Sequence, residues 1–232
     1  MATTMLQAAA AVTQNCLVRN DWVCPLYVET RGGELLEATR EHLFLTLVSV
    51  GLGVLVALPL GILAHRLRRA RSLTVGVTTV LYTIPSIALF FLIVPMLGLS
   101  AATVVTGLTL YTLTVLVRNL LVGLDGVDPE VRDAAVGMGY ASRGLLWRVE
   151  LPLALPSAMA GLRVAVVSTV ALATIGTVVG NGGLGDIISR GLQANFRAEV
   201  LSASVLCVVL AVVLDLLLLL AQRLLTPWQR TA

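Results

Sequence analysis

The sequence is poor in charged residues, in aromatic residues and in the side chains that bind metals. Only 12% of its 232 residues are charged and 5% are aromatic, whereas soluble proteins carry roughly 25% charged residues. Lysine is absent, since every basic residue is arginine, and this excludes a conventional P-loop with its phosphate-binding lysine. The two histidines, His42 and His65, and three scattered cysteines do not form a metal site. A net charge of +3 gives no support for a nucleic-acid partner.

Apolar side chains make up 57% of the chain, with a mean hydropathy of +0.93. A soluble chain of this length could not bury so much apolar surface in one core, whereas a bilayer can cover it. The apolar runs are continuous and long enough to cross the hydrocarbon as helices, and they do not alternate as barrel strands do. We predict an all-α integral membrane protein of about five transmembrane helices, at residues 42–64, 73–97, 102–124, 153–179 and 200–222. Kinks are expected at four prolines within these spans: Pro59, Pro85, Pro95 and Pro156.

The arginines predict how the chain crosses the membrane, because they accumulate on the cytoplasmic side. Of the arginines outside the spans, nine fall on one side and five on the other. The nine are Arg66, Arg68, Arg69, Arg71, Arg132, Arg143, Arg148, Arg223 and Arg230. We therefore predict an extracytoplasmic tail at 1–40, a transmembrane domain at 41–225 with a cytoplasmic loop at 125–151, and a cytoplasmic tail at 226–232. The start of the chain does not have the pattern of a secretory signal peptide.

The loop at 125–151 predicts two short helices rather than a linker. Asp128 is a good N-cap residue, and Pro129 suits the first helical position. Gly139 can end this helix, and Ser142 can cap a second one that is bounded by Pro152. An apolar face at helical spacing is formed by Val131, Ala134, Ala135 and Met138. Such a helix can dock into a groove on a partner protein, or it can rest on the membrane interface.

The spacing in this loop resembles the EAA motif of permease subunits from bacterial ATP-binding-cassette (ABC) importers. The family pattern is Glu-Ala-Ala, three residues, Gly, nine residues, then Ile, any residue and Leu-Pro. Every interval is matched here, with Asp133 in place of Glu and Val149 in place of Ile. The matching positions are Asp133, Ala134, Ala135, Gly139, Val149, Leu151 and Pro152.

Further segments are similar to the glycine betaine, carnitine and choline branch of these permeases. They are residues 82–86, 151–156, 160–163 and 180–186, and the resemblance covers the chain from about residue 41 to its end. It implies a type I importer core of about five helices, like that of methionine permeases. It implies a bacterial cell membrane location and uptake of quaternary-amine osmoprotectants, with an amino acid or another small solute as the alternative.

The resemblance also implies partners. Two permeases would form the pore, either as a homodimer or with a paralogue. A cytoplasmic ABC ATPase dimer would bind the coupling loops, and an extracytoplasmic binding protein would deliver the substrate. The chain itself would be a non-catalytic subunit without cofactors, because the partner ATPase would bind ATP and magnesium. This hypothesis predicts that Gly139→Asp uncouples transport from ATP hydrolysis.

Three other features leave alternatives open. The turn with Gly180, Gly182, Gly183 and Gly185 spells a dinucleotide-binding pattern, but it follows a membrane span, so we interpret it as an external turn or a short external helix. Arg163 and Asp215 are charged residues within spans. They can pair with each other, line a pathway, or reach the interface separately.

Cys16 and Cys24 lie in the predicted outer tail, where they can form a disulfide or remain free thiols. Two other classes of protein fit the sequence less well. An ion-coupled transporter needs intramembrane carboxylates or repeated halves, and only Asp215 fits. A membrane-embedded enzyme has no supporting cluster, because the two histidines lie at opposite ends of one span.

Overall fold

The structure, a computed structural model, describes residues 15–230, and every regular element in that range is helical. A π turn spans Leu146–Glu150, and 3-10 segments span Thr174–Val179 and Pro227–Arg230. Residues 1–14 of the predicted outer tail and residues 231–232 lie outside the described range. The ten α-helices within it are α1 (Cys16–Arg19), α2 (Pro25–Arg66), α3 (Arg68–Thr83), α4 (Ser86–Leu97), α5 (Ala101–Asp125), α6 (Pro129–Gly137), α7 (Ser142–Leu145), α8 (Leu151–Ala173), α9 (Leu184–Gln193) and α10 (Arg197–Leu225).

The helices long and apolar enough to cross a membrane agree with the prediction of about five spans. Four qualify singly: α2, α5, the continuous helical stretch Ser142–Val179 and α10. The pair α3 and α4 qualifies only jointly, because the chain bends by 101° between them. The predicted second span, 73–97, is therefore a broken helix rather than one rod. The break lies at Ile84 and Pro85, where Ile84 has the extended backbone that a following proline favours.

Helix α2 begins well before the predicted first span. Its 42 residues from Pro25 to Arg66 correspond to about 63 Å at 1.5 Å per residue, more than a bilayer requires. Much of the segment predicted as a tail is thus a helical extension of the first span. Its buried residues Tyr27 and Leu35 pack in one apolar cluster with Leu184 and Ile187 of α9. The extension therefore holds α9 and α10 at this end of the bundle.

The second helix predicted in the loop is not separate from the next span. Ser142 is the first residue of α7 rather than its cap, since no side-chain cap bond forms there. Helix α7 then continues through the π turn into α8 without a break. Pro152 lies in the first turn of α8, directly after the π turn, and within a continuous helix a proline removes one backbone hydrogen bond. The π turn before Pro152 accommodates an extra residue, and the chain remains helical through this region.

Helix α5 forms the centre of the bundle. It packs along α2 on one side and α8 on another, and 67% of its most apolar stretch is buried, against 6% of that of α10. Close approach to α8 requires glycine, because a Cβ at Gly123 would lie 2.7 Å from the Ala154 carbonyl oxygen. A Cβ at Gly161 would meet the Asn119 side chain at 2.3 Å. Such small-residue contacts are typical of membrane helix packing.

Candidate functional site

Helix α6 carries the motif residues, and both of its ends are fixed by local hydrogen bonds. The Asp128 carboxylate accepts a bond of 2.8 Å from the Glu130 amide, so Asp128 is the N-cap. At the other end the Tyr140 amide donates to the Ala135 carbonyl (3.2 Å) and the Gly139 amide donates to Val136 (2.9 Å). Together with a φ of +88° at Gly139, these bonds form a Schellman motif. Glycine ends the helix because this backbone conformation strains other residues.

The predicted apolar face of α6 is divided between the interior and the surface. Ala135 is buried, whereas Asp133 and Ala134 are exposed. Met138 is 73% exposed, although it belongs to the same predicted face. The helix thus rests on the protein through Ala135 and presents an acidic and apolar outer surface. The remaining motif residues Val149, Leu151 and Pro152 are half-buried in the helical stretch that leads into α8.

An ion-pair network that the sequence analysis did not identify lies beneath α6. Arg132 of α6 reaches Glu150 in the π turn, with 2.9 Å between Nε and Oε1. His65, at the end of α2, lies 3.7 Å from the same carboxylate oxygen. Glu150 is buried although it is charged, and buried carboxylates are rare unless they are paired.

The network extends to two more helices through Asp125, the last residue of α5. One carboxylate oxygen lies 3.1 Å from His65 Nδ1, and the other lies 2.6 Å from Arg71 Nη2 in α3. We call the five side chains the base network: His65, Arg71, Asp125, Arg132 and Glu150. It joins α2, α3, α5, α6 and the start of α8. A displacement of α6 would therefore be transmitted to every helix that converges here.

Apolar packing supports the same junction. Leu120 and Leu124 of α5 form a buried cluster with Leu146 of the π turn and Ala154 of α8. Protein interiors are close-packed, and they therefore transmit a displacement rather than absorb it. The base network and this cluster together make the loop and the neighbouring helix ends one mechanical unit.

Two charged residues within the spans, Arg163 and Asp215, are paired with each other. Arg163 of α8 and Asp215 of α10 form a bidentate contact, with Nε to Oδ1 at 2.8 Å and Nη2 to Oδ2 at 2.7 Å. Both side chains are about a third exposed in the isolated chain. The geometry favours the pairing interpretation, because a bidentate arginine–carboxylate pair lowers the cost of two charges in the membrane.

The glycine turn is a compact junction between three helices. Gly180 and Gly183 have positive φ angles, and the Gly182 amide donates to the Asp186 carboxylate at 2.9 Å. A Cβ at Gly183 would lie 2.8 Å from the His42 amide nitrogen, and one at Gly185 would lie 2.2 Å from the Thr174 carbonyl oxygen. Helix α9 begins directly after this turn. Glycine is required here for close packing rather than for binding a nucleotide.

His42, whose distance from His65 along the predicted span excluded a shared metal site, anchors this turn. Its imidazole is fully buried, with Nδ1 3.2 Å from the Gly182 carbonyl and Nε2 2.9 Å from the Val170 carbonyl. No signal in the sequence indicated these contacts, which join residues more than a hundred positions apart. Within residues 15–230, no group of three or more His, Cys, Asp or Glu side chains could hold a metal ion.

The N-terminal end of the bundle is held by covalent and ionic links. Cys16 and Cys24 form a disulfide, and Asn20 between them donates to the Asn195 carbonyl at 2.6 Å. Arg190 of α9 contacts Glu199 of α10 at 2.6 Å and Glu34 of α2 at 2.5 Å. Hydrogen bonds to Glu199 and then to Glu34 raise the pKa of the Arg190 guanidinium above its ordinary value. This end is therefore cross-linked across three helices.

Comparison with known proteins places this architecture in a family. Residues 49–231 match the family described as binding-protein-dependent transport system inner membrane component. The chain is 35% identical over 201 residues to the choline transport system permease protein OpuBB of Bacillus subtilis, covering 87% of this chain and 93% of that protein. It is 36% identical over 206 residues to the osmoprotectant import permease protein OsmW of Salmonella typhimurium, covering 87% and 96%.

A solved structure supports the same fold. A chain of the MetNI methionine ABC transporter, in an inward-facing crystal form, superimposes with a TM-score of 0.73 at 23% identity, covering 85% of this chain and 97% of that chain. The fold of a type I importer permease, predicted from the motif, is thereby confirmed. Since the family match extends over most of the sequence, the chain belongs to the family of inner membrane components of binding-protein-dependent transport systems.

Proposed function

We propose that this chain is the permease subunit of an ABC importer for quaternary-amine osmoprotectants, and that α6 is its coupling helix. In this proposal two permeases, as a homodimer or with a paralogue, surround the pathway. A cytoplasmic ATPase dimer binds ATP and magnesium and grips the coupling helices, while an extracytoplasmic binding protein delivers the substrate. The chain catalyses no chemical step itself.

One observation carries the coupling role: α6 is exposed on its outer side and anchored on its inner side by the base network. A partner that moves α6 therefore moves the ends of α2, α5 and α8 together. Closure of two ATPases around ATP would displace both coupling helices and switch the pore between two packed arrangements. For this to work, ATP must bind the two arrangements with different affinities.

The substrate class is supported by the curated relatives. Their names specify choline, or glycine betaine, carnitine and choline, at 33–38% identity. The structural match carries the name of a methionine transporter instead, so an amino acid remains the second candidate. Binding of glycine betaine, choline and methionine to the cognate binding protein, measured by calorimetry, decides between these classes.

The coupling role is tested by the variant Gly139→Asp. The exposed site has room for a side chain, since nothing lies within 4 Å of a Cβ there, but its φ of +88° disfavours one. We expect the Schellman motif to open and uptake of radiolabelled substrate to fall by at least about tenfold, while basal ATP hydrolysis continues. Gly137→Asp is the matched control, because Gly137 also has open space and an ordinary helical φ. Unchanged uptake in Gly139→Asp contradicts the coupling role.

A separate measurement distinguishes this function from ion-coupled transport. Uptake into vesicles is followed after ATP is depleted, with the proton and sodium gradients clamped. An ABC importer stops, whereas an ion-coupled transporter continues. Co-purification of the chain with its ATPase tests the partnership directly, and failure to associate contradicts it.

A further inference from the structure

A broad groove on the arginine-rich face of the bundle is not explained by the proposed coupling function. It has a volume of about 850 Å³ and lies between α3 and α5. Its lining combines arginines with apolar side chains: Arg68, Arg71, Arg118, Val75, Leu121 and Val122. The apolar side chains of this lining match the acyl chains of an anionic phospholipid, and its arginines match the phosphate.

Arg118 provides the strongest argument for a bound anion. It lies seven residues before the end of α5, so it sits about 10 Å inside that end of the span. An arginine at such a depth is costly and is normally paired. Within residues 15–230, however, the one contact found for its guanidinium is with the neutral hydroxyl of Thr79, at 2.8 Å. An anion entering the groove would supply the missing charge.

The charge balance of the groove points the same way. Arg71 is already neutralised by Asp125, whereas Arg68 forms no ion pair in the described part of the chain. Two positive charges, Arg68 and Arg118, therefore remain without a carboxylate. The single negative charge of a phosphodiester compensates one of them, and an acyl chain covers Val75 and the 65% exposed Val122.

We propose that the groove between α3 and α5 binds an anionic phospholipid, whose phosphate is attracted by the lining arginines Arg68 and Arg118. Phosphate chemistry is shared with soluble inorganic phosphate, but the apolar walls favour the lipid. The groove borders α3 and the end of α5, which the base network connects to α6. A lipid in this position stabilises the junction through which the coupling helix acts.

The test uses the full chain co-purified with its ATPase in nanodiscs of phosphatidylcholine and phosphatidylglycerol in equal parts. Native mass spectrometry counts the lipids retained after release. We expect selective retention of phosphatidylglycerol, reduced about tenfold in the double variant Arg68→Gln/Arg118→Gln. Arg143→Gln/Arg148→Gln is the matched control, because it removes the same charge from exposed arginines outside the groove. The control should retain phosphatidylglycerol as the unmodified chain does.

A second variant covers the case in which the double variant does not fold. Val122→Glu places a negative charge on an exposed wall of the groove and leaves both arginines in place. It should also abolish selectivity, whereas Arg118→Lys should preserve most of it.

Unchanged selectivity in the groove variants, or an equal loss in the control, overturns the proposal. Displacement of the lipid by inorganic phosphate indicates a free-anion site, and absence of retained lipid indicates that a second copy covers the groove. Either result also overturns the proposal.

Discussion

Each end of the bundle contains an arginine paired with a buried carboxylate, but the two ion-pair networks support different parts of the fold. At the N-terminal end, which also contains the disulfide, Arg190 pairs with Glu34 and Glu199. These pairs link α9 to α2 and α10. At the opposite end, the base network surrounds Glu150 and supports α6, a nine-residue helix whose outer side is exposed. The first arrangement fixes one end of the fold, whereas the second supports a surface that a partner can push.

Each end contains one buried and one more exposed carboxylate. The side chains of Glu150 and Glu199 are 10% and 7% exposed, whereas those of Asp125 and Glu34 are 36% and 33% exposed. Removing one partner of a buried pair costs more than breaking a surface pair, because it leaves the other charge unpaired away from water. The ends therefore differ in what their ion pairs support rather than in burial, and the cost of burial can be tested by removing a buried carboxylate from one end and an exposed one from the other.

The largest effect is expected for Glu150→Ala. This change leaves Arg132 and His65 without their shared carboxylate, at a cost of about 3 kcal/mol in the free energy of unfolding. Uptake should fall with stability, because α6 loses its anchor. Glu34→Ala removes the more exposed carboxylate at the other end. It should cost less than about 1 kcal/mol, since Arg190 keeps Glu199. Denaturation in detergent measures both, and equal effects would show that burial of the carboxylate does not set the cost.

A smaller effect is expected at the pair Arg163 and Asp215, which lies between the two ends. Each single variant, Arg163→Met or Asp215→Leu, should lower the melting temperature because it strands a charge within a span. The double variant should recover much of the loss. Uptake then separates the remaining interpretations, since a structural pair permits transport in the double variant, whereas a pathway pair does not.

At the surface of the coupling end, Gly139→Ala should destabilise the loop by about 1 kcal/mol, because alanine disfavours a positive φ. Gly137→Ala should be neutral or slightly stabilising, since a helical glycine gains from a Cβ. Neither added methyl group meets another atom within 4 Å. Hydrogen exchange of the Tyr140 amide reports the opening of the motif. Similar exchange in both variants would argue against backbone strain as the cause.

The smallest effect on transport is expected for Cys16→Ser/Cys24→Ser. The disulfide closes a short loop, with a sequence separation of eight, so its loss should cost about 2 kcal/mol locally. Uptake should change by less than about twofold because the coupling end is unaffected. After reduction of the unmodified chain in intact cells, a membrane-impermeant thiol reagent should label Cys16 from outside, because Cys16 is half-buried whereas Cys24 is buried. Labelling only after lysis would invert the predicted orientation.

Much of the local architecture could be predicted from the sequence. The apolar runs locate the spans, and the helix α6 begins and ends at its predicted signals, Asp128 and Gly139. These features depend on interactions within a few residues, so the sequence contains their causes. The kink expected at Pro85 is a sharp break of 101°, where the Tyr111 hydroxyl donates to the Ile84 carbonyl. The separate second helix expected in the loop was wrong, because α7 merges with α8.

The candidate site shows the same division. The sequence alone fixed a membrane-spanning chain with an EAA-like loop, because hydropathy, capping and motif spacing are properties of consecutive residues. Packing in three dimensions chose which charges meet: Glu150 with Arg132 and His65, and Arg163 with Asp215. The physical reason is that a contact between residues far apart in the chain depends on how whole helices cross, and many partners are compatible with any one segment considered separately.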